Sequence, residues 1–103
     1  MKTIQINGLT YEVLNNVNDA IDIEVLKDKI TDYFHTYDYI VGDYAYGKVR
    51  LKGFNDKNNK YYKSINDIKN LNEYIDKYCA FGCKWFCIKK TNNKDWFRIV
   101  HLL

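Results

Sequence analysis

Period-two alternation opens the chain. Ile4 and Ile6 alternate with Thr3 and Gln5, and Leu9, Tyr11 and Val13 alternate with Thr10 and Glu12. Between the two runs stands Asn7-Gly8, a pair suited to a two-residue turn in which both φ angles are positive. The predicted hairpin sets Ile6 opposite Leu9, Ile4 opposite Tyr11 and Lys2 opposite Val13, with one apolar face. After a polar stretch at 15–19, the spacing changes to the helical one. Leu26, Ile30, Tyr33, Phe34 and Tyr37 form a stripe, which predicts a helix over 22–36 with Asp22 as N-cap. Glu24, Asp28 and Asp32 fall on another face of it.

Alternation returns in DYIVGDYAYGKVRLKGF, residues 38–54. It predicts a second hairpin, 39–43 with 48–54, around a loop at Tyr44–Gly47 that places Asp43 opposite Lys48. Ile40, Gly42, Val49 and Leu51 form the apolar face. Tyr39, Val41, Asp43, Lys48, Arg50 and Lys52 form the other. A polar loop, 55–63, precedes a second helical stripe of Ile65, Ile68, Leu71, Ile75, Tyr78 and Cys79. The predicted helix covers 64–79, with Ser64 to Asp67 as a capping box and Gly82 beyond its end. A last hairpin joins 83–90 to 95–102. Phe86 and Ile88 lie on one face and Trp85, Cys87 and Trp96 on the other, so it is either central or bears an exposed aromatic patch. The expected fold is one α+β domain over 1–103: a mainly antiparallel sheet built from three hairpins with two helices, in the order ββαββαββ.

Charge divides this fold. Residues 1–43 hold three Lys against eight Asp and Glu, and residues 44–103 hold thirteen Lys and Arg against five. The basic half suits an anionic partner. The opening has no apolar signal core, and no run is long enough to span a membrane. Three cysteines, an odd number, fit a reducing cytoplasm better than a disulfide framework, so no disulfide-linked partner is expected.

The opening Asn7-Gly8 hairpin, the block at 38–54 and EYIDKYCAFGC at 73–83 together resemble the YutD-like family of small cytosolic proteins of Gram-positive bacteria. The resemblance spans nearly the whole chain. It implies a compact bacterial α+β domain and brings no activity, cofactor or catalytic residue with it.

Candidate chemistry is sparse. Nucleophile elbows, zincin motifs and glycine-rich phosphate loops are all missing, so no enzyme or cofactor is expected. Cys79, Cys83 and Cys87 are spaced by fours, which fits zinc poorly. They read as buried thiols, with Cys83, beside Lys84, the one to react if any does. Asp43 near Lys48 and Arg50 reads as a cross-strand charge pair. The best candidate site is the strand with Lys48, Arg50 and Lys52 on one side, extended by Lys60 and Lys63 and decorated by Tyr44, Tyr46 and Tyr61. Cations for phosphates and rings for bases suit RNA or another polyanion. The alternative is a protein-interaction module using the acidic face of the first helix or the Trp85/Trp96 face.

Overall fold

Two hairpins become one sheet through a later strand. In this computed structural model, which describes residues 2–79 and 82–91, β1 (Thr3–Ile6) pairs with β2 (Leu9–Val17), and β3 (Tyr39–Ala45) with β4 (Lys48–Phe54). The strand β5 (Trp85–Lys90) lies between β2 and β3. The sheet order is β1-β2-β5-β3-β4, with every pairing antiparallel. The first register is the predicted one, Ile4 with Tyr11 and Ile6 with Leu9. The 15–19 stretch behaves differently from expectation. A bulge at Leu14 restarts the pairing at Asn15, and β2 runs on to Val17.

The two faces of β5 explain why both were apolar. Phe86 and Ile88 join Ile4, Ile6, Tyr11, Ile40, Leu26, Ile30 and Phe34 in a core under the first helix. Cys87 joins Tyr39, Val41 and Phe54 in a second core under Ile68, Leu71, Tyr74 and Ile75, with Trp85 packed at its side. The strand is therefore central and covered on both faces. The partner strand expected at 95–102, with Trp96, lies outside the described residues.

Both helices are shorter than the periodicity predicted. The helix α1 (Ile23–Lys29) has Asp22 as its N-cap, accepting from the Val25 amide. It stops at Ile30, and Asp32–Thr36 continues as a 3-10 turn. The cause is distant in sequence. The Asn7 Nδ2 donates to the Lys27 and Ile30 carbonyls, at 2.9 and 3.1 Å, and so satisfies the end of the helix. The break leaves Tyr33 69% exposed instead of buried on the stripe.

At 64–70 the chain forms two 3-10 turns, and α2 covers only Leu71–Tyr78. Asn55 is responsible: its amide donates to the Asn66 carbonyl at 2.7 Å, and its carbonyl accepts from Ile68 at 3.1 Å. That bridge holds Asp67 extended. Asp67 then caps the Lys69 amide itself, so the capping box led by Ser64 does not form. The Lys69 amide and the Tyr62 hydroxyl hold the Asp67 carboxyl below its ordinary range.

The second hairpin turns at Tyr46-Gly47, not over four residues. Ala45 faces Lys48 and Asp43 faces Arg50, a slip of two from the expected register. A slip of two preserves which residues share a face. Among the described residues, no helix is long and apolar enough to cross a membrane.

Candidate functional site

The strand β4 is an edge, hydrogen-bonded on one side to β3. Lys48, Arg50 and Lys52 do share its α2 side, but they are not equally available. Arg50 meets Asp43, whose side chain is 1% exposed, through both its Nε, at 3.1 Å, and its Nη2. The same Nη2 donates to the Tyr78 carbonyl at 3.1 Å. The bonds to Asp43 raise the guanidinium pKa above its ordinary value. This is the expected cross-strand pair, and it also ties the end of α2 to the sheet. The Lys52 ammonium lies 5.3 Å from the Phe54 ring centre and 5.8 Å from that of Tyr74. Lys48 stands exposed beside the turn.

The other candidates do not gather into one patch. Tyr44 lies on the opposite face, where its hydroxyl donates to the Ala20 carbonyl at 2.8 Å and Lys84 sits 4.5 Å above its ring. Lys60, Tyr61 and Lys63 are exposed, with Lys60 5.0 Å from the Tyr61 ring. Their loop leaves the far end of β4, about 20 Å of strand from Tyr46. It is anchored there by a polar knot. The buried Asn55 Oδ1 accepts from the Asp38 amide at 2.8 Å and from Asn59 at 3.0 Å, and Asp38 accepts from the Asp56 amide at 2.8 Å.

A groove that sequence reasoning missed runs between the β4 edge and α2. It measures about 370 Å³ and is lined by Lys52, Phe54, Ile65, Asn70, Glu73, Tyr74, Lys77 and Tyr78. Ile65 is 72% exposed and Tyr78 50% exposed, although both sit on the helical stripe predicted to be buried. No periodic signal separates them from Ile68, Leu71 and Ile75, which are half-buried against the second core. The late start of α2, delayed by the Asn55 bridge to Asn66 and Ile68, leaves Ile65 in a 3-10 turn and facing outward.

The cysteines also depart from expectation. The Cys79 and Cys83 sulfurs lie in disulfide contact, with Cα atoms 5.9 Å apart. Both are half-buried, so the reading of three buried, non-converging thiols holds only for Cys87. Burial pushes the Cys87 thiol up to about 12. Among the described residues, no three His, Cys, Asp or Glu side chains converge as a metal site. On the acidic face of the first helix, Glu24 pairs with Lys27 at 3.1 Å, and Asp28 and Asp32 are exposed.

A five-stranded antiparallel sheet with helices on both faces and a groove at one edge defines an α+β architecture. The chain belongs to the YutD-like family, described as "Putative antitoxin YutD-like", which it matches over residues 5–89. It is 41% identical over 87 residues to "Putative antitoxin YutD" of Bacillus subtilis (strain 168), covering 84% of this chain and 96% of that one. The fold matches the solution NMR structure of protein yutD from B. subtilis with a TM-score of 0.71 at 39% identity, over 89% of this chain and 84% of that one.

Proposed function

We propose that this protein is a protein-binding module of the bacterial cytoplasm, an antitoxin whose partner is a protein toxin. The observation that carries this reading is Tyr46. It is fully exposed at the tip of the second hairpin, with φ at 53°. An aromatic residue there strains the backbone where Asn or Gly would not, and such strain collects at functional positions. Tyrosine is also among the residues enriched at protein interfaces. The name of the B. subtilis relative, an antitoxin, points the same way.

The test has two stages. The tagged protein is recovered from its native cytosol after nuclease treatment, and any protein that copurifies is expressed alone and together with this chain. A partner that arrests growth alone, is neutralised by coexpression and forms a stoichiometric complex with the purified chain supports the reading. Recovery of nucleic acid alone, or of proteins that coexpression does not neutralise, overturns it.

A second reading, RNA or another polyanion, keeps Lys48, Lys60, Lys63, Tyr46 and Tyr61. What favours it is the exposed Lys60–Tyr61 pair. What weighs against it is the commitment of Arg50 to Asp43 and the distance between the two cationic ends of β4. Titration of labelled single-stranded RNA at several salt concentrations decides it. Each neutralised phosphate adds roughly 0.7 to the log–log slope.

A further inference from the structure

We infer that the groove between β4 and α2 docks a segment of the partner protein that carries one apolar side chain flanked by carboxylates. The inference rests on the protein-binding reading above and names where and by what chemistry the partner is held. Four features of the groove converge on that occupant.

Its floor is aromatic. The Phe54 and Tyr74 rings meet edge to face with centres 5.7 Å apart. Ile65 and Tyr78 stand at its sides, two large apolar residues left exposed around one concavity. Ile65 matters most, because an aliphatic side chain offers no stacking face to a base but gives an apolar anchor something to bury against.

Its rim carries two cations held over rings. Lys52 lies over Phe54 and Tyr74, and Lys77 lies 5.4 Å from the Tyr78 ring centre. Among the described residues, neither ammonium has a carboxylate within 4.0 Å. A carboxylate on either side of the anchor would complete both pairs. Glu73, in the same wall, makes a run of phosphates a poorer fit than a segment of alternating charge and apolarity. Finally, the groove is bordered by an edge strand that pairs with β3 alone among the described residues, so an extended segment can add main-chain hydrogen bonds along its more exposed end toward Lys48.

The experiment uses the full chain and the protein recovered from native cytosol by the wild type. Ile65→Asp and the double change Lys52→Glu with Lys77→Glu alter exposed or rim positions, and circular dichroism with a thermal scan confirms that each variant folds. Tyr33→Ser in the 3-10 turn after α1 is the comparison, since Tyr33 is 69% exposed next to Phe34, which packs in the core on the other side of the sheet. Ile65→Asp is expected to weaken partner binding by ten-fold or more. The double change is expected to weaken it by about ten-fold and to abolish most of its salt dependence. Tyr33→Ser should leave the affinity within two-fold. If both folded groove variants keep wild-type affinity, or if Tyr33→Ser alone loses it, the groove is not the docking site while the protein-binding reading stands. If the wild type recovers no protein partner, both fall together. Self-association of the purified chain, lost on Ile65→Asp, would replace the foreign partner with a second copy and overturn the occupant named here.

Discussion

Two hairpin turns in this molecule share one backbone conformation. φ is 53° then 82° at Asn7-Gly8, and 53° then 74° at Tyr46-Gly47. The first turn is used inward. Asn tolerates the left-handed region, and its amide closes the end of α1. The second is used outward, with a tyrosine that the conformation disfavours and that is fully exposed. Equal geometry with unequal residue choice separates a turn that builds the fold from one that displays a side chain.

The largest effect expected from this contrast is alkaline. The surroundings of the second hairpin hold Tyr39, Tyr44 and the Cys87 thiol above their ordinary pKa values, each chiefly by burial, and the first hairpin holds Tyr11 in the same way. Cys87 ionises near 9 in the unfolded chain and near 12 in the fold, so its contribution is whole below pH 9. Between pH 9 and 12 the unfolded chain releases a proton that the fold retains, and stability falls. The loss from this group reaches up to about 4 kcal/mol at 1.36 kcal/mol per unit. Denaturant midpoints between pH 8 and 11 should therefore decline, and Cys87→Ala should flatten the decline more than Tyr11→Phe does. Equal slopes in the two variants would mean that the second hairpin is not the alkali-sensitive one.

Next in size is Gly42→Val. A Cβ at Gly42 would overlap the ring of Phe86, which is fully buried on β5. A cost of about 3 kcal/mol follows from a core that cannot yield. A midpoint within error of wild type would show that the ring moves freely.

At the turns, Gly8→Val and Gly47→Val should each cost about 1–3 kcal/mol through backbone strain, and by similar amounts, because open space surrounds both positions. Unequal costs would show that the two turns differ in more than their first residue.

The smallest effect is the most diagnostic. Tyr46→Asn should stabilise the fold by about 0.5–1 kcal/mol, since Asn accepts this φ, while weakening partner binding. Asn7→Ala should instead cost about 1 kcal/mol through the lost bonds to α1. A Tyr46→Asn protein that is no more stable, or that binds its partner as wild type does, removes the contrast.

Local signals carried the parts of the fold they could reach. Asn7-Gly8 and the alternation around it agree, so the first register was legible. The faces of the second hairpin were legible too, but its register slipped by two because tyrosine is not a residue that marks a left-handed turn. The start of α1 at the Asp22 cap was legible, but the end of α1 and the start of α2 were not, for a shared reason. Asn7 stops α1 from a position 23 residues before Ile30, and Asn55 breaks the second stripe from outside it. The alternating cations of β4 could be read, and so could the pairing of Asp43 with the basic strand. The groove could not, because Ile65 and Tyr78 occupy the same helical phase as residues that bury.

The central place of β5 bears on how the chain is made. Synthesis proceeds from the N-terminus, so both hairpins emerge before the strand that joins them. Until residue 85 leaves the ribosome, the inner edges of β2 and β3 face each other with no strand between them. Such bare edges invite pairing with other chains. A nascent chain stalled after Cys79 is thus two half-sheets in need of protection. Only the late arrival of WFCIKK converts them into one cooperative body.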